Sequence, residues 1–280
     1  MKAVRLTVLA DNYVTARNLR GEHGLAFHLA ADNRQILFDT GQGLVLADNA
    51  RALGIDLGAV DTVVLSHGHY DHTGGLPHVL SAARAPVAIH VHPQALQPKY
   101  RVTGSEARSI GLPQEALDAL SRPPARVMTA TTPTEVAPGI FCTGEIPRPA
   151  DGPPPTDIFH LDPAGTQPDP LLDDQALYFS TTKGVVVLLG CAHSGVIPTL
   201  DYIRRLTGQP IRAVLGGLHL GKAPPAEIQR VADYLRALEL TCLVPMHCTG
   251  TRATAALWAT LPNICREGGV GARFEFEKEN

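Results

Sequence analysis

Three histidines and one aspartate lie within six consecutive positions of this chain, in the segment SHGHYDH. The preceding residues, 62–65, are β-branched or apolar and predict a short buried strand. At strand spacing His67 and His69 point the same way, and a following turn lets Asp71 and His72 face the same centre. Packing gains nothing from four such polar groups, whereas imidazoles and carboxylates are preferred ligands of divalent metals. The segment therefore predicts a metal site at the end of a buried strand.

The rest of the chain alternates short apolar runs with helical patterns, which is typical of an α/β protein. A polar turn at 31–33 lies between two apolar runs and predicts a hairpin. The predicted strands are 5–10, 25–29, 35–38, 62–65, 87–91, 176–181, 185–189, 213–215 and 242–244. The predicted helices are 44–53, 74–83, 196–206, 226–238 and 251–260. This order favours two sheets with helices packed outside them.

Two proline-rich stretches interrupt the alternation, at 98–125 and at 147–173. Proline removes a backbone donor and interrupts helices and central strands. We therefore expect two long surface loops, the first with a short helix at 114–120, inserted in a single domain that spans 1–280. Loops of this length in a compact domain are commonly functional. We expect these two to form the lid or the specificity wall of a site.

Composition and charge exclude several classes of function. A net charge of −3 gives no basic surplus to neutralise a phosphate backbone, so we expect no nucleic-acid partner. No apolar run approaches the ~18 residues of a membrane helix, so we expect no membrane partner. Charges at Lys2 and Arg5 interrupt what would be the apolar region of a signal peptide, which predicts a cytoplasmic protein. The expected partner is a small-molecule substrate, and the oligomeric state stays open.

The five cysteines are scattered, odd in number and without a CxxC pair, so no disulfide framework is expected. We expect Cys142, Cys242 and Cys265 to be small buried residues. Cys191 and Cys248 adjoin candidate metal histidines, so a ligand role stays open for both.

Three more histidines, His193, His219 and His247, each come shortly after a predicted strand. Strand C-termini are where α/β proteins build sites, so we expect these three to converge with the first cluster. His90 and His92 are expected to support the site by hydrogen bonds rather than to bind metal. Four other histidines are expected to have no special role: His23, His28, His78 and His160. Three basic residues of the first proline-rich stretch are expected to be solvated, with contact to an anionic substrate as the alternative: Lys99, Arg101 and Arg108.

Several of these motifs resemble those of the metallo-β-lactamase-fold superfamily. Residues 67–72 match its HxHxDH signature, and Asp39, within the sequence FDTG, resembles its early aspartate motif. Four later motifs resemble those of the subgroup named for the dihydropterin–ribofuranosylaminobenzene phosphate synthase. These motifs are TGEIPR (143–148), GCAHSG (190–195), GGLHL (216–220) and MHCTG (246–250). The resemblance implies an αββα sandwich of two mixed sheets with outer helices, and a metal site, often dinuclear, at one edge of the sheets.

The resemblance also implies a ligand set. The implied ligands are His67, His69 and His193 for one ion, and Asp71, His72 and His247 for a second. Cys191 stands where the superfamily has a bridging aspartate. Two alternatives stay open: Cys191 binds the metal as a thiolate, or His193 takes the place of the missing aspartate as a ligand. Glu145 stands where it has a further histidine, and its roles as ligand, base or partner of Arg148 stay open. Zinc is the default for such a site, as one or two ions per chain, with manganese or iron as alternatives.

These features predict a metallohydrolase in which metal-bound hydroxide attacks a small-molecule ester, phosphoester or lactone-like substrate. Asp71 is expected to ligate and to orient the nucleophile. His219 is expected to stabilise the oxyanion or protonate the leaving group, or alternatively to hold a ligand in place. Two other classes stay open. One is a redox or transferase-type metalloenzyme (pterin-pathway synthase-like or iron-dependent sulfur dioxygenase-like), and the other is a non-catalytic metal- or ligand-binding protein.

Overall fold

The structure, a computed structural model, describes residues 3–148 and 158–277. The strands are β1 (Ala3–Ala10), β2 (Ala26–Ala31), β3 (Arg34–Phe38), β4 (Thr62–Val64), β5 (Val87–Val91), β6 (Tyr100–Thr103), β7 (Glu106–Ser109), β8 (Ala125–Thr129), β9 (Thr134–Ala137), β10 (Ile140–Cys142), β11 (Phe159–His160), β12 (Ala176–Thr181), β13 (Gly184–Leu189), β14 (Ile211–Gly217), β15 (Cys242–Met246) and β16 (Arg273–Glu277). The α-helices are α1 (Leu46–Ala52), α2 (Tyr70–Thr73), α3 (Leu76–Ala82), α4 (Gln114–Leu120), α5 (Val196–Thr207), α6 (Pro225–Ala237) and α7 (Thr251–Thr260). All nine predicted strands and all the predicted helices are present, with ends shifted by a few residues.

Two large sheets carry the site at their edges. The first has the order β16-β1-β2-β3-β4-β5-β8, and the second has the order β15-β14-β13-β12-β10-β9. In the first sheet β3, β4, β5 and β8 run parallel, and in the second β13, β14 and β15 do so. The carboxyl ends of parallel neighbours meet at one edge of a sheet. The segments that follow β4, β13, β14 and β15 therefore emerge close to one another.

Three apolar clusters define the layers. Between the two sheets, Phe27 and Phe38 of the first share a cluster with Phe179 and Leu215 of the second. Helices α1, α3 and α4 pack on the outer face of the first sheet, and α5, α6 and α7 pack on the outer face of the second. The predicted αββα sandwich is thus confirmed. Among the described residues, no helix has the length and apolar character needed to cross a bilayer, and the longest, α6, has 13 residues.

The stretch 98–125, expected to be a long surface loop with a short helix at 114–120, has that helix and also strands that were not predicted. This stretch contains the hairpin β6–β7 and the helix α4, and β11 pairs with β6 to complete a small third sheet of order β11-β6-β7. The prolines lie at element boundaries, since Pro98 precedes β6 and Pro113 precedes α4. In the second stretch only β11 is found within 158–173, and residues 149–157 lie outside the described part of the chain.

Four strands of the two large sheets were not predicted from the sequence: β8, β9, β10 and β16. Of these, β8, β9 and β16 lie at sheet edges, where one side of the strand has no partner within its sheet. Edge strands need little apolar surface, and β8 leaves Val127 and Met128 exposed by 40% and 50%. The apolar runs that mark buried strands are therefore missing from these segments.

Candidate metal centre

One edge of the sandwich brings the predicted histidines together. His67 and His69 follow β4, and His72 lies in α2. His193 follows β13, and His247 follows β15 at the matching edge of the other sheet. The Nε2 atoms of His72 and His247 are 3.2 Å apart although 175 positions separate the two residues. The turns of both sheets therefore meet at one centre.

His67, His69 and His193 form the first convergent group, with ligand atoms that all lie within 4.8 Å of one another. The Nε2 atom of His67 is 2.9 Å from Nδ1 of His69, and the ring of His193 lies 4.8 Å and 5.0 Å from the two rings. The Nε2 atoms of His69 and His193 are buried without a hydrogen-bond partner. Because buried polar atoms are nearly always paired, these nitrogens fit a cation at this position.

Asp71 lies at the middle of the second group. Its Oδ2 is 3.2 Å from Nε2 of His23, 3.5 Å from that of His247 and 3.9 Å from that of His72. The structure thus places the three residues predicted for a second ion side by side and adds His23. The expectation that His23 is an ordinary residue is wrong. It lies in the irregular loop after β1, so no strand or helix period in the sequence marks it.

The Nδ1 atoms of two imidazoles form hydrogen bonds with residues outside the centre. Nδ1 of His72 donates to Oδ2 of Asp39 at 2.7 Å, and Nδ1 of His247 donates to Oδ1 of Asn12 at 3.0 Å. Each ring therefore turns its Nε2 inward, the nitrogen that binds a metal once it carries no proton. At 3.2 Å the two Nε2 atoms need positive charge between them, which is supplied by a proton on His72 or by a metal ion that replaces it. This second group therefore also fits a cation.

Asp39 supports the ligands and belongs to no convergent group among the described residues. It is fully buried and accepts the backbone N–H of Ser66 at 2.7 Å and the Ser66 hydroxyl at 2.6 Å, besides the imidazole of His72. The Oγ atom of Ser66 lies 2.9 Å from Nδ1 of His67. One carboxylate therefore orients two candidate ligands, directly for His72 and through the hydroxyl for His67.

Burial and charge set the protonation of the centre. Burial lowers the pKa of His69 and of His247 to about 4, so both imidazoles are neutral, as metal binding requires. Burial also lowers the pKa of His72, but the carboxylates of Asp39 and Asp71 outweigh it and raise this pKa to about 9. The carboxylates therefore attract positive charge to a centre whose other imidazoles stay neutral.

Cys191 lies at the centre and Glu145 at its margin. The Sγ atom of Cys191 is 3.3 Å from Nε2 of His72, and Cys191 forms a further convergent group with His67 and His72. Glu145 belongs to none of the convergent groups found in the described residues. Its Oε1 lies 3.1 Å from Nε2 of His92, so the structure pairs it with that histidine rather than with an arginine.

A buried lysine fixes the loop that carries His67 and His69. Nζ of Lys99 donates to Asp169 Oδ2 at 2.7 Å and to Asp173 Oδ1 at 2.9 Å, and all three side chains are fully buried. The other oxygen of Asp173 accepts the backbone N–H of Gly68, between the two histidines, at 2.8 Å. The expectation of a solvated Lys99 is wrong, because its buried ammonium group bridges the carboxylates of Asp169 and Asp173.

The backbone at the centre adopts conformations that side chains usually avoid. Asp39, Ala192, His219 and His247 have φ angles of 62°, 54°, 52° and 48°. At Gly68 a Cβ atom would lie 2.2 Å from the carbonyl oxygen of Ala95, so only glycine fits between the two histidines. Such strain is concentrated at functional sites, where the surrounding structure holds it.

Phe159 of the third sheet and His219 lie next to the first convergent group. The ring of Phe159, on β11, lies 5.3 Å from the ring of His69 and 5.7 Å from that of His193. His219 is exposed, and its ring lies 4.4 Å from that of His193. The aromatic ring of Phe159 and the exposed imidazole of His219 therefore both lie beside His193.

Most of the chain matches one known protein family. The family described as the metallo-beta-lactamase superfamily matches residues 20–247. The chain belongs to this superfamily. Metallo-beta-lactamase-fold proteins bind divalent metals, in agreement with the convergent groups described above. The resemblance inferred from HxHxDH and the later motifs is confirmed.

Relatives and a solved structure cover nearly the whole chain. An uncharacterized protein of Methanocaldococcus jannaschii is 31% identical over 254 residues, which are 90% of this chain and 93% of the relative. The 7,8-dihydropterin-6-methyl-4-(beta-D-ribofuranosyl)-aminobenzene-5'-phosphate synthase of the same organism is 28% identical over 270 residues, 89% of each chain. The crystal structure of Tm1679, described as a metal-dependent hydrolase of the beta-lactamase superfamily, is 30% identical, with a TM-score of 0.84, and covers 98% of this chain and 100% of its own.

Proposed function

We propose that the protein is a metal-dependent hydrolase that cleaves a small-molecule ester, phosphoester or lactone-like substrate. The observation that carries this proposal is the convergence of inward-facing imidazoles with buried, unpartnered nitrogens at His69 and His193. The similarity to Tm1679, described as a metal-dependent hydrolase, supports the same reaction class. Fold alone does not fix chemistry, so the proposal rests on the site.

The assignment of the first ion follows a convergent group, and that of the second follows the distances from Asp71 and His247 to His72. We assign His67, His69 and His193 to one ion and Asp71, His72 and His247 to a second, with His23 beside the second. Nitrogen-rich sites with a carboxylate favour zinc, with manganese and iron as alternatives. A bound divalent cation supplies a Lewis acid and lowers the pKa of coordinated water to about 7.

The chain's own side chains orient and protonate the reactants. Asp71 has a pKa below its usual range, because the imidazoles of His72 and His23 outweigh the effect of burial, so it stays an acceptor that orients a water. His219, exposed beside His193, is placed to donate a proton to the leaving group. Phe159 excludes water from one side of the reacting bond.

Metal removal tests this proposal. The purified protein is assayed against a panel of carboxylic esters, phosphomonoesters, phosphodiesters and lactones, before and after chelation. We expect hydrolysis of one class, its loss on chelation, and its return with added zinc or manganese. A protein that holds metal, by plasma emission, yet hydrolyses nothing on the panel would contradict the hydrolase proposal.

A second candidate, transfer chemistry, is favoured by Cys191. A thiol at 3.3 Å from His72 stands where the superfamily has a bridging carboxylate, and a relative with 28% identity is a synthase. Incubation with a dihydropterin that carries a diphosphate leaving group on its 6-methyl carbon, together with a ribofuranosylaminobenzene 5'-phosphate, tests it by mass spectrometry, because coupling releases diphosphate. Formation of the coupled product, with no hydrolysis of the panel, would favour transfer.

A further inference from the structure

Another group of side chains that could bind a metal ion lies beside the centre. The proposed hydrolysis does not use these three side chains together. Cys191, His219 and Cys248 offer ligand atoms that all lie within 4.8 Å of one another. They come from the turns after β13, β14 and β15, the three parallel strands of the second sheet. The topology that gathers the histidines therefore also gathers two thiols and an imidazole.

The donor chemistry of this set differs from that of the main centre. Two thiolates and one imidazole, without a carboxylate, favour thiophilic ions such as Zn²⁺ and Cd²⁺. Around a tetrahedral ion with bonds of about 2.3 Å to sulfur, neighbouring donors lie roughly 3.8 Å apart. Donors within 4.8 Å therefore need to move together by about 1 Å or less. The three protein ligands would leave one tetrahedral position open.

The surroundings allow a cation to reach this set. Cys191 is buried, Cys248 is partly exposed and His219 is exposed, so the set opens to solvent on one side. Gly217 provides the space for the thiol, since a Cβ atom there would lie 2.6 Å from Sγ of Cys248. Sγ of Cys248 is also held 3.5 Å from the carbonyl oxygen of Cys191, which keeps the two cysteines together.

We propose that Cys191, His219 and Cys248 form a third cation-binding triad, specific for a thiophilic divalent ion, beside the imidazole-rich centre. Cys191 also lies 3.3 Å from Nε2 of His72, so its sulfur can bridge the triad and the main centre. Binding displaces the thiol protons to solvent and needs no oxidant. An ion in the triad occupies His219, so the proton-donor role of this residue applies only when the triad is empty.

Cadmium binding tests the triad. The as-purified protein, kept reduced and anaerobic, is titrated with Cd²⁺ while the ultraviolet sulfur-to-cadmium charge-transfer absorbance is followed. We expect one saturable thiolate-bound ion in the wild type. Cys248→Ser should remove at least half of the absorbance, and His219→Gln should weaken binding at least tenfold. Cys242→Ser, the same substitution at the other end of β15, is the control and should keep the full signal.

Two results would overturn the triad. One is a Cys248→Ser protein with wild-type absorbance and affinity. The other is a Cys248→Ser protein, folded by circular dichroism, that has lost every bound ion, because the thiol would then belong to the main centre. His69→Ala separates this proposal from the hydrolase proposal. We expect it to retain the cadmium signal, and loss of the signal would also count against a separate triad.

Discussion

Replacement of Lys99 by methionine is expected to lower the free energy of unfolding by about 3–5 kcal/mol, the range for breaking a buried ion pair by removal of one partner. The ammonium group is the shared partner of Asp169 and Asp173, at 2.7 Å and 2.9 Å, and all three side chains are fully buried. Without it, two like charges remain buried near each other. Urea denaturation followed by circular dichroism measures the loss.

Lys222→Met is the matched control, because Lys222 is exposed and its replacement should change the stability by less than about 0.5 kcal/mol. If Lys99→Met unfolds at the same urea concentration as this control, the carboxylates do not depend on the lysine and the assignment of a buried ion triad is wrong. The loop at Gly68 gives a second readout. Since Asp173 holds its N–H, we also expect weaker metal binding in the Lys99 variant.

The buried part of the fold could be predicted because burial leaves a pattern in the sequence. Strands such as β4 and β13 lie within the sandwich, so every residue of both is buried and both appear as continuous apolar runs. The strand β16 has the alternating sequence RFEFE, but it lies at an edge and stays largely exposed. The hairpin β6–β7 is polar and largely exposed, so no apolar run marks it.

Contacts between distant parts of the chain could not be predicted. Lys99 lies in a polar, proline-rich stretch, and its partners Asp169 and Asp173 are 70 and 74 positions away. His23 reaches Asp71 from a loop without a repeating pattern. The positions of these side chains depend on how the sheets stack, which composition and periodicity do not determine.

The convergence of the histidines at strand ends could be predicted, because each of them follows a strand that the sequence marks. His67 and His69 follow a recognisable buried strand, and parallel strands bring their carboxyl ends to one edge. The same rule places His193 and His247 after β13 and β15. The family resemblance implies that Cys191 stands in the place of a bridging aspartate, but its 3.3 Å approach to His72 comes only from the structure.

Substitution of His69 by alanine should remove one bound ion and lower kcat/KM for hydrolysis about a thousandfold. The variant lacks an imidazole whose neighbours His67 and His193 cannot hold an ion alone, and a catalytic metal contributes several kcal/mol of transition-state stabilisation. Plasma emission on the purified variant gives the ion count, and the rate is measured on the panel substrate that the wild type cleaves.

Two further variants should have a smaller effect than His69→Ala or none. Asp39→Ala removes the carboxylate behind His72 without removing a ligand, so we expect metal affinity to fall only about 10- to 100-fold. His78→Ala removes an exposed histidine from α3, and both ion content and rate should stay at wild-type values. An unchanged ion count in His69→Ala, with the protein folded, would show that this imidazole is not a ligand. The first convergent group would then lose its assignment, because His67 and His193 provide too few donors to hold a cation without it.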